Sequence, residues 1–461
     1  MKSLLIITLS LVSVVALEAQ NYNGNEEIYN CFTIIAGKGT TADGSVLMAH
    51  NEDDGGEQML NMYVVPENVT KGRAKYIWGE FPGMEAADLF MNQYGVAIVS
   101  DQCISKEDKA LLTDGGILYE LRVTVAQKAK SAKEAVRIMG RLVEQYGYRT
   151  SGRSYMVADN NEGWIFSAVK GKHWVAARVP DNQVMIIPNN YVIDKINLAD
   201  TVNFAGCSDI ISYAEERGWY NPATDGEFSF RKAYSDQRNF YSPRNVIRHL
   251  SAIQYFTGKP YQNNPDKFEF TVTPSKKVTL QDMMTVLRSH GENTKFAMEL
   301  KGEGGSHPNC ICFKTTVLSA IFQLRGNMPT ELGSVMWMTP YHPCVSAYIP
   351  WYLGMTAAPE NFGRYNDPDM AITNHFSHAK EMRANNPDII YWKYLDRFEK
   401  INSNYAGNIF EIRGKNADFQ EKLFKEQSSF EKKAAKIAND KVKFGEMLNE
   451  QTSKLYKLYL K

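Results

Sequence analysis

The pattern of apolar and polar positions near the start of the chain predicts a short antiparallel hairpin. Residues 31–36 and 45–50 are apolar, strand-like runs, and the loop between them holds three glycines and an Asp-Gly turn signal. If the two runs pair with the turn centred on this loop, Cys31 lies opposite His50. The thiol, the imidazole, the carboxamide of Asn51 and the carboxylates of Glu52 and Asp53 are then expected to meet at one end of the hairpin.

Further along the chain, helical and strand-like patterns follow one another in blocks. Residues 117–146 place apolar side chains at helical spacing, whereas residues 154–188 break into four short strand-like runs separated by turn residues, which is typical of an antiparallel meander. The remaining predicted helices are 208–217, 243–253, 279–289 and 387–406. Further strands are predicted at 61–66, 74–78, 310–318, 320–324 and 331–338, and a turn followed by a buried strand at 91–101. Blocks in this order predict an α+β fold, with helices layered on antiparallel sheets.

The two ends of the chain differ in composition from the rest. Residues 1–19 have the basic start, apolar stretch and small residues of a secretory signal peptide, and the polar residues 20–30 are expected to be a pro-segment. We therefore expect an exported protein, periplasmic or extracellular, with no membrane span after signal removal. Residues 418–461 are predicted to form a charged helical tail that packs on the body of the chain, or on a neighbouring subunit in a homo-oligomer.

Charge and cysteine spacing exclude several classes of partner and cofactor. The 52 basic and 52 acidic residues balance, so neither nucleic acid nor an anionic membrane is expected to bind. The six cysteines form no CxxC pair and no zinc-finger spacing. His290, His307 and His342 are isolated in the sequence, and the chain has no HExxH motif, P-loop or Rossmann fingerprint. The sequence therefore predicts no metal and no other cofactor.

Cys31 stands out because of its position. A cysteine in a strand is commonly a small buried hydrophobe, and lipidation is disfavoured because residues 28–30 lack the small residue that such processing needs. Cleavage of the Asn30–Cys31 bond, by contrast, frees an α-amino group with a pKa of roughly 7.7–8.0 beside a thiol with a pKa of about 8.5. Such a residue carries its own general base, so Cys31 is predicted to be an N-terminal nucleophile.

The stretch from Cys31 to Asp53 resembles the opening of the dipeptidase A family of N-terminal nucleophile hydrolases, which is related to secernins, penicillin V acylases and bile salt hydrolases. The resemblance continues at residues 91–97, 130–147, 163–164, 173–178, 188–189, 337 and 348–350. It implies an αββα sandwich, two antiparallel sheets between helical layers, formed by a catalytic domain at residues 31–417. It also implies that Cys31 sits at the end of a central strand and hydrolyses dipeptides through a thioester.

The same resemblance implies the other site residues. Asp53 matches the carboxylate that holds the amino group of the nucleophile, and Asn189 matches the carboxamide that stabilises the tetrahedral oxyanion. Arg231 is matched to a further active-site arginine. His50 stands where the family has arginine, which is permanently charged, whereas histidine titrates near pH 6.5. We expect His50 to line the active site, with a structural strand histidine as the alternative.

Two other functions stay open at this point. The same nucleophile could act on non-peptide amides, as in the related penicillin V acylases. The chain could also be a non-catalytic binding protein on the same fold, which the secernin resemblance and His50 allow. Asp101 and Gln102 lie where the related acylases have another oxyanion donor.

Overall fold

Two antiparallel β-sheets lie face to face at the centre of the molecule, and helices pack against the outer face of each. The structure is a computed structural model that describes residues 31–53, 61–80, 87–292, 307–308, 310–362, 383–384 and 387–461. The predicted signal peptide and pro-segment, residues 1–30, lie outside the described residues. Four layers in this order form the αββα sandwich that the sequence predicted.

In chain order the strands are β1 (Phe32–Ala36), β2 (Val46–Asp53), β3 (Asn61–Val65), β4 (Tyr76–Glu80), β5 (Ala87–Asn92), β6 (Ala97–Gln102), β7 (Tyr148–Ala158), β8 (Gly163–Gly171), β9 (Trp174–Val179), β10 (Val184–Ile187), β11 (Phe204–Gly206), β12 (Thr271–Val272), β13 (Thr316–Leu324), β14 (Ser334–Pro340) and β15 (Ile349–Tyr352). The α-helices are α1 (Tyr119–Lys128), α2 (Ala132–Tyr146), α3 (Ile210–Glu216), α4 (Phe230–Tyr234), α5 (Gln237–Phe240), α6 (Pro243–Thr257), α7 (Leu280–Leu287), α8 (Thr330–Gly333), α9 (Ile390–Asn402), α10 (Tyr405–Ala435) and α11 (Lys441–Tyr459). Short 3₁₀ helices cover Val69–Lys71, Pro265–Lys267 and Pro343–Val345.

The hairpin β1–β2 occupies the middle of a seven-stranded sheet with the order β12-β10-β1-β2-β13-β14-β15. The second sheet has eight described strands in the order β11-β9-β8-β7-β6-β5-β4-β3. Helices α6 and α7 pack on the first sheet and α1 and α2 on the second, while β1 and β2 face β6 and β7 between the sheets. Every residue of β1 and β2 is buried as a result.

The register of the hairpin differs from the prediction by two residues. Thr33, not Cys31, is paired with His50. The loop has a hydrogen-bonded turn at its start, where the backbone N–H of Thr40 donates to the carbonyl oxygen of Gly37 at 2.9 Å. It bends again near its end, where the Asp43 carboxylate accepts hydrogen bonds from the backbone N–H and the hydroxyl of Ser45. The predicted pairing of Cys31 with His50 was therefore wrong. Because side chains alternate along a strand, a shift of two residues still leaves both side chains on the same face.

The predicted four-stranded meander was wrong in its last strand. β7, β8 and β9 pair in sequence as expected, but β10 leaves them and pairs with β1 in the other sheet. Gly37 permits this crossing, because a Cβ atom there would lie 2.4 Å from the carbonyl oxygen of Pro180. The connection after β9 can thus pass close to the end of β1 and carry the chain from one sheet to the other.

Two further predictions need correction between residues 310 and 340. The strand predicted from residue 310 begins only at Thr316, because the backbone N–H of Cys312 binds the carbonyl oxygen of Ser289 at 3.0 Å instead of a neighbouring strand. The strand predicted at 331–338 begins as the short helix α8 and becomes β14 at Ser334. The helix predicted at 279–289 is α7, and Thr279 and Asp282 cap it reciprocally.

The C-terminal region consists of two long helices, α10 and α11, rather than one tail. The predicted boundary between residues 417 and 418 falls inside α10. Tyr456 of α11 accepts a hydrogen bond from the indole N–H of Trp351 at 2.9 Å, and Glu431 of α10 forms a two-pronged ion pair with Arg325. Among the described residues, no helix is both long and apolar enough to cross a membrane.

Candidate active site

Cys31 lies immediately before β1, at the edge of the space between the two sheets. Its side chain is 2 % exposed. The thiol donates to Oε1 of Glu52 at 3.3 Å and lies 3.6 Å from the carbonyl oxygen of Asp53. The carbonyl oxygen of Cys31 accepts a hydrogen bond from Nη1 of Arg248 at 3.1 Å. The end of β2 and helix α6 therefore fix the nucleophile candidate from two sides.

A polar cluster fills the space between the sheets beside Cys31. Nε2 of His50 lies 2.9 Å from Oε2 of Glu52, and Nδ1 of His50 lies 2.7 Å from the hydroxyl of Thr33. The Thr33 hydroxyl donates to Oδ1 of Asp101 on β6 at 2.9 Å. Cys31 Sγ, a ring nitrogen of His50 and a carboxylate oxygen of Glu52 all lie within 4.8 Å of one another. The structure thus brings His50 next to Cys31.

The opposite face of β2 carries the carboxylate of Asp53. Its Oδ1 accepts a hydrogen bond from the hydroxyl of Thr316 on β13. Its Oδ2 is buried and has no hydrogen-bond partner among the described residues. The neighbouring Asn51 is held by donating to the carbonyl oxygens of Leu287 and Ile311, each at 2.9 Å. The end of β2 is therefore rigidly anchored, while one oxygen of Asp53 keeps its hydrogen-bonding capacity for another group.

Arg248 connects Cys31 to Asn189. The buried guanidinium of Arg248 donates to Oδ1 of Asn189 at 3.0 Å and to Oδ1 of Asn245 at 2.7 Å, in addition to the carbonyl of Cys31. Asn189 has a φ of 62°, in the left-handed region that asparagine tolerates better than most residues. Its Nδ2 donates to the carbonyl oxygen of Gln102 at 3.2 Å. Asn189 therefore lies near the nucleophile candidate and is connected to Cys31 through Arg248.

The structure gives Arg231 a different role from the one that the resemblance implied. On helix α4, its guanidinium lies 3.4 Å from Oδ1 of Asp194 and donates to the backbone carbonyls of Pro265 and Asp266 at 3.1 and 3.3 Å. These bonds tie α4 to the 3₁₀ helix Pro265–Lys267. Arg248 on α6, rather than Arg231, is the arginine that hydrogen-bonds Cys31 among the described residues.

Burial raises the pKa values of the acidic groups around Cys31, and repulsion from neighbouring carboxylates adds to the rise at Asp53 and Asp101. Burial is the largest cause in each case. The pKa of Glu52 rises from 4.5 to about 7 and that of Asp101 from 3.8 to about 7. The pKa of Asp53 rises well above its usual value, although the Thr316 hydroxyl and the Arg248 charge oppose the rise.

The pKa of the Cys31 thiol is raised well above 9.0, first by burial and then by the charges of Glu52, Asp101 and Asp53. In the uncleaved chain the thiol is therefore protonated at neutral pH. A thiolate at this position needs a positive charge close to the sulfur.

Sequence reasoning missed Arg248 and gave Glu52 no role of its own. Asn245 and Arg248 are three residues apart in the predicted helix 243–253, so they share one face. Two polar groups of this kind on the buried side of a helix are the signal that could have been used. Glu52 was expected near the thiol at the end of the hairpin, but its hydrogen bond with Cys31 was not predicted.

Two groups of described residues could hold a metal ion. The first is the trio of Cys31, His50 and Glu52, whose atoms already hydrogen-bond one another around the nucleophile candidate. The second lies outside this site and includes His290 and His307. The interpretation of these two histidines as isolated was wrong, because the fold brings their Nε2 atoms to 3.3 Å.

A cysteine at the start of a central strand, in a sandwich of two antiparallel sheets between helices, defines the class of N-terminal nucleophile hydrolases. The chain belongs to peptidase family C69, since the family profile matches residues 83–402. This membership confirms the resemblance found in the sequence. The protein is accordingly a hydrolase, a cysteine peptidase of the N-terminal nucleophile type.

Curated relatives and solved structures are similar to this chain over most of its length. Dipeptidase A of Lactobacillus helveticus is 26% identical over 374 residues, covering 72% of this chain and 76% of that protein. A probable dipeptidase of Salmonella dublin is 24% identical over 364 residues, covering 72% of this chain and 83% of that protein. Among solved structures, penicillin V acylase from Agrobacterium tumefaciens aligns with a TM-score of 0.36 and 13% identity over 70% of this chain and 86% of that chain.

Proposed function

We propose that the protein is an exported cysteine dipeptidase in which cleavage after Asn30 makes Cys31 the N-terminal nucleophile. Two curated relatives carry dipeptidase names, which supports small peptides as the substrate. The family match begins at residue 83, so the assignment of the nucleophile depends on the geometry around Cys31. The single observation that carries it is the contact of the Cys31 thiol with Glu52, beside an Asp53 oxygen that has no hydrogen-bond partner in the described part of the chain.

The proposed reaction uses the α-amino group of mature Cys31 as its general base. The amine takes the thiol proton, Sγ attacks the carbonyl carbon of the peptide bond, and a tetrahedral oxyanion forms. The α-ammonium then gives its proton to the leaving amine as the C–N bond breaks, which leaves a thioester on Sγ. Water, deprotonated by the same amine, attacks the thioester and releases the acid and the free thiol.

The surroundings of Cys31 suit an ammonium group. Asp53 offers an oxygen that no described residue binds, and Glu52 and Asp101 add negative charge that favours a cation and opposes a lone thiolate. We assign Asp53 to the α-ammonium on this ground. The cation in turn supplies the positive charge that the thiolate needs, so nucleophile and base are formed together.

Asn189 and Arg248 are the proposed positioning groups on the side of helix α6. Arg248 holds the carbonyl of Cys31 and the side-chain oxygen of Asn189 at the same time, which leaves Nδ2 of Asn189 directed away from the guanidinium. This amide can donate to a developing oxyanion after breaking its 3.2 Å bond to the Gln102 carbonyl. His50 holds Glu52 and Thr33 in place beside the sulfur.

The mature N-terminus and the role of the thiol are tested together. The full chain is expressed with its leader, recovered from the exported fraction, and analysed by intact mass, with Cys31 expected as the first residue. Wild type, Cys31→Ser and Cys31→Ala are then assayed on a dipeptide panel and on acyl amides. The buried thiol of Cys207 lies far along the chain in the β9–β11 region, so Cys207→Ser is the matched control and should keep wild-type rates.

Each outcome of this experiment decides one part of the proposal. A purified, active protein that retains residues 20–30 rules out the free-amine mechanism. Equal rates for wild type and Cys31→Ala rule out Cys31 as the nucleophile. Hydrolysis of acyl amides without hydrolysis of dipeptides replaces the dipeptidase with an amidase. Retention of residues 1–19 in the cytoplasmic fraction contradicts export.

A further inference from the structure

A second buried cluster of reactive side chains lies behind the active-site strand. It consists of His290, His307, Cys312 and Cys344, here called the His–Cys cluster. One ligand atom from each residue lies within 4.8 Å of the others, and all four residues are buried. Two imidazoles and two thiols converging on one point form the ligand set typical of a structural zinc site.

The fold draws the four residues from separate parts of the chain. His290 follows helix α7, Cys312 lies in the loop before β13, and Cys344 lies in the 3₁₀ helix Pro343–Val345. His307 contacts the other three residues, although His290, Cys312 and Cys344 are 17, five and 37 residues away from it in the chain. Such spacing matches no short metal-binding motif, so the cluster could not be recognised from the sequence.

The distances within the His–Cys cluster agree with tetrahedral coordination. The Nε2 atoms of His290 and His307 are 3.3 Å apart, and Nε2 of His307 lies 3.2 Å from Sγ of Cys344 and 3.5 Å from Sγ of Cys312. Zinc bonds of about 2.0–2.1 Å to nitrogen and about 2.3 Å to sulfur, at tetrahedral angles, place nitrogen atoms about 3.3 Å apart and nitrogen and sulfur about 3.6 Å apart.

We propose that the His–Cys cluster binds one Zn²⁺ ion through Nε2 of His290, Nε2 of His307 and the sulfurs of Cys312 and Cys344. Binding releases the two thiol protons to solvent, so two thiolates neutralise the divalent ion and the completed centre carries no net charge. A neutral centre is compatible with full burial, whereas an isolated buried charge is not. Four protein ligands fill the tetrahedron, which makes the site structural rather than catalytic.

Groups around the His–Cys cluster already orient its ligands. The backbone N–H of His290 donates to Oε2 of Glu292 at 2.7 Å, and Oε1 of the same carboxylate lies 3.9 Å from Nδ1 of His290. Nδ1 of His290 also lies 3.3 Å from Nη2 of Arg413 and 3.5 Å from the hydroxyl of Tyr405. Metal binding through Nε2 leaves the ring proton on Nδ1, so it requires the Glu292 carboxylate or the Tyr405 hydroxyl, rather than the Arg413 guanidinium, as the partner of Nδ1. The backbone N–H of His307 donates to Oδ1 of Asn402, and the hydroxyl of Tyr405 lies 3.7 Å from Sγ of Cys344.

The His–Cys cluster lies next to the segments that support the proposed nucleophile, so the ion would have a structural role there. Leu287 and Ile311 supply the two carbonyls that hold Asn51 at the end of β2. Leu287 precedes His290 by three residues, and Ile311 is adjacent to Cys312. The ion would therefore hold both segments that position the active-site strand, without contacting the substrate.

The test measures the metal directly, on the full chain purified without metal-affinity resin. Elemental analysis is expected to find about one zinc per chain in wild type. X-ray absorption of the zinc is expected to show two sulfur and two nitrogen neighbours. Cys344→Ser should bind little zinc, whereas Cys310→Ser, a buried cysteine in the same loop but outside the cluster, should keep a full equivalent.

Several results would overturn the proposal. The proposal is wrong if wild-type protein holds no zinc after incubation with the ion, whether or not the variants fold. A Cys312–Cys344 disulfide, found by peptide mapping of unreduced protein, also contradicts the proposal, because oxidised sulfurs cannot bind the ion as thiolates. Zinc that survives in Cys344→Ser, or a spectrum without sulfur neighbours, places the metal elsewhere. These readouts need no enzymatic activity, so they stand apart from the dipeptidase proposal.

Discussion

Replacing Glu52 by glutamine removes a buried ionisable group and keeps the shape of its side chain. Burial raises the pKa of Glu52 from 4.5 to about 7, although the charges of Arg153 and Arg122 and the hydrogen bond from Cys31 oppose the rise. The folded chain therefore binds this proton more tightly than the unfolded chain. The stability that Glu52 contributes is fully present below pH 4.5 and is lost as the pH rises through 7.

The size of this loss follows from the two pKa values. A shift from 4.5 to about 7 corresponds to about 3 kcal/mol at high pH, at roughly 1.4 kcal/mol per pKa unit. Slightly less than about 1 kcal/mol is already lost at about pH 5, so the loss between about pH 5 and about pH 8.5 is about 2–3 kcal/mol. Glutamine does not ionise, and we expect the stability of Glu52→Gln relative to its parent to increase by this amount across that interval.

Urea unfolding at about pH 5 and about pH 8.5 measures this difference. Both the parent and the Glu52→Gln variant carry Cys31→Ala, so that neither has the nucleophile. The Cys31 thiol lowers the pKa of Glu52, so its removal does not weaken the expected effect. Intact mass verifies that both proteins share one N-terminus. Glu421→Gln, on an exposed face of α10 beside Lys425, is the matched control and should show no gain at high pH.

A result with parallel pH curves for Glu52→Gln and its parent would refute the reasoning. It would mean that Glu52 is ionised in the folded chain over the whole interval. A loss of stability that does not depend on pH, such as a weaker hydrogen bond from the introduced amide to His50, lowers the free energy of unfolding equally at both pH values. It therefore does not affect the comparison.

Two further predictions concern stability and activity elsewhere in the fold. Arg248→Met should lower the free energy of unfolding by about 3–5 kcal/mol and abolish dipeptide hydrolysis. The substitution removes a charged donor from buried acceptors such as the Cys31 carbonyl, and a positive charge from the buried acids. Arg231→Met, measured by the same urea and dipeptide assays, is the comparison variant and should keep hydrolysis. Gly140→Ala should destabilise the chain by about 1–3 kcal/mol in urea, because the added Cβ would lie 2.2 Å from the ring of Trp174. Full activity in Arg248→Met, or unchanged stability in Gly140→Ala, would contradict these expectations.

The core hairpin could be predicted from sequence because its apolar runs are short and bounded by turn residues. The predicted run at 45–50 nevertheless ended too early, since β2 continues to Asp53. Polarity marked an end at Asn51, but β13 pairs with β2 as far as Asp53 and supplies Thr316 and Ser319 as partners for the polar side chains. A strand with polar residues at its end is recognisable only once its neighbour is known.

Long-range contacts explain the parts of the site that the sequence could not give. Arg248 reaches a carbonyl 217 residues away, at Cys31, and no local pattern on helix α6 specifies that target. The His–Cys cluster depends in the same way on turns after α7 and before β13. By contrast, the meeting of Cys31 with His50 was predictable, because the hairpin brings them together through a nine-residue connection between neighbouring strands.

In the proposed mechanism, the buried carboxylates around Cys31 link processing of the chain to its activity. As long as Cys31 is an internal residue, Glu52, Asp53 and Asp101 add to burial in keeping its thiol protonated and unreactive. In that mechanism, cleavage after Asn30 would create an α-ammonium and reverse the sign of their effect, since the same negative charges would then stabilise a cation beside the sulfur. Under the proposed mechanism, one set of side chains thus silences the precursor and supports the mature nucleophile. A positive residue at position 50, in place of His50, would weaken that contrast by stabilising the thiolate before cleavage.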